Sequence, residues 1–384
     1  MQPGYLGVTA PPGPVPAKGE RRWVDRPEQL LHAVSILKQS RVVAIDAEFT
    51  QVRSHTHAST SSNRLALLQL AIDGHCFIVD AWRLRDLSPL APVTEDPDMH
   101  ILLHGAGADM QVMAERGLTV AHYVDLEAAS RSIFGQHESS LAAMLQRAFA
   151  IRLDKSLQRT DWTRRPLPTA MISYAARDAE VTLALYYWLA QHYAWALQLH
   201  EHKGQEEAVA AWIEPFLRGT SSMPAEMAVK EAIEQGLLHK EQVYTDCRAA
   251  LATLVHPMQR SRLLRLIADL SLVRLAPEIE PLLQAQAADE RAAAARTLGR
   301  LKNEQSRALI RPLLHDPVHD VRKAAQAALR NLSDNTSRQQ RAVPTRLADG
   351  TRSWTVGEPG GPTSDDDAND WKARLRTIMG EPGP

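Results

Sequence analysis

The chain repeats itself. Residues 279–301 (IEPLLQAQAADERAAAARTLGRL) align without gaps on residues 310–332 (IRPLLHDPVHDVRKAAQAALRNL) at an offset of 31, and ten of the 23 positions are identical. Pro281/Pro312, Asp289/Asp320, Arg291/Arg322 and Leu298/Leu329 are among the identities, and one step earlier Arg260, Ile267 and Leu270 keep the register more faintly. A helical unit of about 30 residues cannot bury its apolar face alone and must stack on a neighbour. The Ala-, Leu- and Glu-rich stretch 201–332 is therefore expected to be an α-helical domain containing a solenoid.

The preceding half follows another pattern. Residues 27–39 (PEQLLHAVSILKQ) have helical spacing, whereas 41–46 (RVVAID) form a short β-branched run of the kind that makes a buried strand. LALLQLAI (65–72) and HCFIVDA (75–81) read as two further strands joined by the hairpin signal Asp73-Gly74. HILLHG (100–105) is another apolar run, after which mostly helical patterns continue to His200. Strands followed by helices predict an α/β domain with a mixed sheet over residues 21–200.

Composition narrows the class. The 384 residues hold 44 basic and 45 acidic side chains, a net charge of -1 that excludes a uniformly basic nucleic-acid coat and an acidic disordered chain. The charge is unevenly placed: residues 201–259 carry -4 and residues 260–332 carry +5. Two cysteines, Cys76 and Cys247, cannot build a disulfide framework and fit a reducing compartment. The start of the chain lacks the pattern of a signal peptide, and no run of about 18 uncharged apolar residues exists. A soluble, cytoplasmic protein without membrane contact is expected. Residues 1–20, with five prolines and four glycines, read as a disordered leader, and 333–384 as a mostly disordered tail with a short helix around WKARLRTIM.

The chemistry begins at the end of the first strand. Asp46 and Glu48 are two apart, so an extended backbone points both carboxylates to one face. Taken alone, the pair fits an exposed strand end as well as a cation site. Two further segments change the balance. LLHGAGADMQVM places Asp109 in a small-residue turn at the start of a helix, and SYAARDAEVTLALYYWL sets Tyr174 and Asp178 four apart on one helical face.

In these segments the sequence resembles the DEDD 3′–5′ exonucleases of the ribonuclease D type, over roughly residues 23–190. The first motif is Asp46-Ala-Glu48-Phe49, the second runs from His104 to Asp109, and the third is Tyr174-x-x-x-Asp178, whose tyrosine marks the DEDDy branch. DKSLQRTDWTRRPL (154–167) matches the segment before the third motif. The sequence departs from the family at Ala47, Pro168, Met171 and a lengthened loop 50–64, none of them a metal ligand. The resemblance implies a ribonuclease H-like α/β fold and hydrolysis of RNA from its 3′ end, assisted by two Mg2+ or Mn2+ ions about 4 Å apart. Single-stranded DNA is the alternative substrate, since no motif reads a 2′-hydroxyl. By the same resemblance Asp46 bridges both ions, Glu48 and Asp178 complete the nucleophile-side ion, Asp109 holds the second, and Tyr174 orients the attacking water.

Arg152, Lys155, Arg159, Arg164 and Arg165 form a basic cluster that could grip phosphates, and Trp162 could stack on a base. His55 and His57 read as surface histidines of the long loop. Residues 250–332 resemble HEAT repeats of the phycobilisome-lyase type, with Arg291 and Arg322 expected to bond between stacked repeats. That array would hold RNA on its basic face or dock a protein. A scaffold carrying a vestigial nuclease is the remaining alternative, against which stand all four acids and the tyrosine.

Overall fold

The computed structural model describes residues 10–53, 61–153, 156–157, 160–201 and 209–339, with a short strand pair, β7 Thr345–Arg346 and β8 Arg352–Ser353, beyond them. The N-terminal α/β half is built from strands β1 Glu20–Val24, β2 Val42–Arg53, β3 Ser61–Ile72, β4 His75–Val79, β5 His100–Leu103 and β6 Tyr123–Asp125. Its helices are α1 Pro27–Leu37, α2 Ala91–Thr94, α3 Gly107–Ala114, α4 Leu126–Phe134, α5 Leu141–Phe149, α6 Thr169–His192 and α7 Ala194–His200. The strands form one sheet in the order β1-β4-β3-β2-β5-β6, in which β2 and β3, and β3 and β4, pair antiparallel and the other neighbours parallel. The β3–β4 hairpin turns at Gly74 with φ +78°, as the Asp-Gly pair predicts.

β3 is buried from Leu65 to Ile72 because helices cover both faces of the sheet. Along β2 the faces alternate. Val43, Ile45 and Ala47 join the core with residues of α1 and α3, while Ala44 joins the core with residues of α4, α5 and α6. Asp46 and Glu48 share the α6 face, which is also where Tyr174 and Asp178 arrive.

Edge strands β1 and β6 escape the sequence pattern. β1 is ERRWV and β6 has three residues, too short and too polar to show an apolar period. At the two ends of the segment expected to be a long loop over 50–64 the β2–β3 ladder continues, paired from Thr50↔Arg64 to Arg53↔Ser61, and residues 54–60 lie outside the described residues. His55 and His57 lie outside the described residues.

Residues 10–19, expected within a disordered leader, run against the α/β half instead. Gly13 N donates to Ala148 O, and Pro11 and Pro16 carbonyls accept from Trp188 and Arg177. Proline-rich backbone has few donors of its own, so an extended segment can lie on a helical surface at little polar cost. At the other end, α15 His319–Gln339 continues seven residues past the expected stop at Leu332, because SDNTSRQ contains no glycine or proline. The helix expected near WKARLRTIM lies outside the described residues.

The helical half contains α8 Glu214–Arg218, α9 Ala225–Glu234, α10 Lys240–Thr253, α11 Pro257–Asp269, α12 Ala276–Ile279, α13 Ala288–Arg300, α14 Arg307–Ile310 and α15. The long helices α11, α13 and α15 begin at 257, 288 and 319, so the 31-residue sequence offset is the spacing of the structural repeat. Between them the chain makes short mixed helices, 273–284 and 304–315, broken at Pro281 and Pro312, which lack an N–H for the α-helical ladder. α13 and α15 approach so closely at Gly299 that a Cβ there would lie 2.5 Å from Ala328 Cα.

The repeated Arg and Asp have separable jobs. Arg291 donates to Ala285 O and Gln286 O in its own repeat and makes a buried two-pronged pair with Asp316 of the next. Arg322 makes the equivalent bonds to Asp316 O and Pro317 O, within its own repeat. The interrepeat role expected of both arginines is thus observed for Arg291. The repeated aspartates face the α/β half. Ser132 Oγ donates to Asp289 at 3.1 Å, and Gln136 N donates to Asp320 at 2.5 Å. A two-repeat identity visible in sequence is therefore the seam that joins the repeats to α4 and the turn after it.

Candidate active site

The bond network of the sheet aims the acids. Asp46 stands on β2 opposite Gln69 of β3, and a register shift follows between Glu48 and Phe49. With its amide nitrogen toward β2, fully buried Gln69 donates to Asp46 Oδ2 at 3.3 Å and to Asp46 O at 2.6 Å. Asp125 holds the second motif. Its carboxylate accepts from Gly105 N and Ala106 N and, as N-cap of α4, from Glu127 N. That ties the turn before α3 and so fixes Asp109 in the helix's first turn. α6 is pinned beside the sheet by a two-pronged pair from Arg21 of β1 to Glu180, both contacts at 2.8 Å.

Carboxylate oxygens of Asp46, Glu48 and Asp178 lie within 4.8 Å of one another. Asp109 is near enough for its charge to act on Glu48, and that of Asp46 to act on it. Tyr174 hydrogen-bonds Asp178 one helical turn on. All five residues named from the motifs come together.

The cluster is electrostatically unbalanced. Burial, then the charges of Asp46, Asp178 and Asp109, push Glu48 up to about 10. Burial first, then Asp46 and Asp125, raise Asp109 to about 8, and burial also raises Asp46. Tyr174 is pushed upward by burial and by Asp178 and Glu48, so its hydroxyl keeps its proton. Mutually repelling buried carboxylates and an all-oxygen donor set suit hard divalent cations.

The segment before α6 behaves differently from its expected part. Trp162 is fully buried, its ring 6.1 Å from that of Tyr174, so it backs the tyrosine and offers no face to a base. Arg165 is likewise taken up by the fold: it pairs through two nitrogens with fully buried Asp80 at the end of β4, and bonds the carbonyls of Trp162, Arg164 and Ala66. Neither can grip substrate as the basic cluster suggested. Arg152 and Arg164 are exposed, and Lys155 and Arg159 lie outside the described residues. Arg165→Ala should lower stability by about 3 kcal/mol, since fully buried Asp80 loses its two-pronged partner and is left with the longer ion contact from Arg83 at 4.0 Å. Chemical denaturation would measure it, and a loss below 1 kcal/mol would show that Asp80 finds another partner.

Gln69, Asp125 and Asp80 escaped the sequence reading. Asp125 had a signal, an N-cap residue directly before the periodic run LEAASRSIF. Gln69 and Asp80 had none, because their partners are distant in sequence.

Residues 21–193 match the family model described as 3′–5′ exonuclease, and residues 248–349 match HEAT repeats. The chain is 32% identical over 163 residues to protein RRP6-like 3 of Arabidopsis thaliana, covering 42% of this chain and 18% of that protein. It is 29% identical over 166 residues to ribonuclease D of Haemophilus influenzae, covering 43% and 40%. The chain thus spans well under half the length of these curated relatives. Among solved structures it is similar to the catalytic core of RRP6 from Trypanosoma brucei, with 20% identity, TM-score 0.43, and 86% and 84% of the two chains covered. The ribonuclease D of Escherichia coli gives 18% identity, TM-score 0.41, and 94% and 84% coverage. Residues 21–193 are thus similar to 3′–5′ exonucleases and residues 248–349 to HEAT repeats, and the relatives matched include ribonuclease D and RRP6-like proteins.

Proposed function

We propose that this protein is a metal-dependent 3′–5′ exonuclease that removes nucleotides from the 3′ end of RNA. The convergence of Asp46, Glu48 and Asp178 within 4.8 Å, with Asp109 and Tyr174 beside them, carries the reading. Two Mg2+ or Mn2+ ions would supply charge neutralisation and an activated water. Asp46 would ligate both, Glu48 and Asp178 the one beside the nucleophile, and Asp109 the other. The Tyr174 hydroxyl, protonated and hydrogen-bonded to Asp178, would hold and orient that water. Arg152 and Arg164, exposed on the segment before α6, are the described cations of the basic cluster left to meet phosphates.

The choice of RNA follows the relatives named ribonuclease D and RRP6. The HEAT repeats supply a surface for a protein partner. Buried free thiols Cys76 and Cys247 suit a reducing cytoplasm, and among the described residues no helix is long and apolar enough to cross a membrane.

Purified protein incubated with 5′-labelled RNA and with DNA of the same sequence tests the proposal. In Mn2+ or Mg2+ the RNA should shorten stepwise to a descending ladder, and EDTA should stop it. A DNA ladder with intact RNA would reverse the substrate assignment, and no ladder on either would favour a scaffold with a vestigial nuclease.

A further inference from the structure

The seam between the nuclease and the repeats holds a second group of metal-binding side chains. His137 stands in the short helical turn Gln136–Glu138 after α4, while His319 and Asp320 open α15, more than 180 residues away in sequence. One ligand atom from each lies within 4.8 Å of the other two. His137 Nε2 is 3.4 Å and His319 Nδ1 3.9 Å from the same oxygen, Asp320 Oδ1. Tetrahedral zinc, with bonds of about 2.0–2.1 Å, sets its ligand atoms about 3.3 Å apart. The first distance already fits, and small rotations of two exposed rings close the rest.

The surroundings orient the carboxylate. Asp320 Oδ2 accepts from Gln136 N at 2.5 Å and from His137 N at 3.4 Å, which leaves Oδ1 turned to the two imidazoles. Such outer bonds hold a ligand in position before a metal arrives. Gly135 makes the approach possible. Its φ is +85°, and a Cβ there would lie 2.6 Å from Asp320 Oδ2. The cluster opens on a cleft of about 550 Å³ between α4, α13 and α15, which leaves room for water as a fourth ligand.

We propose that His137, His319 and Asp320 bind a divalent transition-metal ion of the zinc class, clasping the nuclease to the repeat array. Ligand chemistry separates this site from the catalytic one. Two imidazole nitrogens and a carboxylate select Zn2+, Co2+ or Cu2+, whereas the four catalytic carboxylates are oxygen-only and suit Mg2+ or Mn2+. The clasp is independent of the exonuclease reading. Lys323 and Arg296, which line the same cleft, weaken the attraction for a cation.

The full chain, stripped of metal and held in excess Mg2+ to fill the carboxylate site, is given one equivalent of Cu2+. Electron paramagnetic resonance should show coupling to two imidazole nitrogens, and Zn2+ should displace the signal. His137→Ala and His319→Ala should each remove the two-nitrogen signature and weaken Zn2+ binding at least about tenfold by calorimetry. Both side chains are more than half exposed (62% and 56%), so neither change threatens folding. Because the chain holds 15 histidines, both single variants must lose the signal. An oxygen-only spectrum in the unaltered protein, or a two-nitrogen signal surviving in either variant, overturns the proposal.

Discussion

Asp46→Asn lowers metal-dependent nucleotide release by at least about a thousandfold and leaves the fold intact. Asparagine keeps the size and planarity of the side chain, and Gln69 can still bond the backbone carbonyl of residue 46. What disappears is a negative charge at the centre of the cluster, with one oxygen ligand. In the reading argued above this carboxylate would help hold both ions, so weakening it would disturb nucleophile and leaving group together. The loss should fall on kcat in single-turnover measurements with saturating RNA, because base and sugar contacts are untouched. Far-ultraviolet circular dichroism should be unchanged, and the metal-free variant should melt higher than the unaltered protein, since a buried repulsion is gone. A variant retaining a tenth of the activity would remove Asp46 from the catalytic centre.

How much of this was legible beforehand depends on where the partners sit. The four acids and Tyr174 were readable because each motif is local: a two-residue spacing on a strand, a turn before a helix, a four-residue spacing on a helix. The repeat was readable because its period in sequence is its period in space, down to helices starting at 257, 288 and 319. Trp162 and Arg165 misled for the opposite reason. A basic, aromatic segment looks the same in sequence whether it faces a phosphate or a buried carboxylate. Only the fold brings Asp80 to Arg165, 85 residues away. The seam lay hidden in the same manner: Asp289 and Asp320 were visible as repeat identities, but nothing local reveals that they face Ser132 and Gln136. The edge strands β1 and β6 gain their order from the sheet they complete, so their own residues carry no period to read.

Metal-free protein should lose stability as the pH rises from about 7 to about 9, and Mn2+ should reverse the trend. Glu48 and Asp109 have folded-state values raised to about 10 and about 8, well above the ordinary carboxylate range near 4. A raised acid binds its proton more tightly when folded, so its contribution is complete below the unfolded value and is lost as the pH climbs through the folded one. Each proton held only by the folded state is worth about 1.4 kcal/mol per pH unit, giving about 4 kcal/mol over the interval, or roughly 10 °C in Tm. The window avoids a contrary effect. Burial drives His200 down to about 4 and lowers His104 also. Those groups cost stability as the pH falls below about 6.5 and are silent above about 7. A divalent cation binds the ionised carboxylates and competes with the protons, so the rise in Tm on adding Mn2+ should be larger at the alkaline end. Glu48→Gln, which carries no titrating charge, should flatten both trends. Equal Mn2+ shifts at the two pH values, unchanged in Glu48→Gln, would mean that the proton and the metal do not share this site.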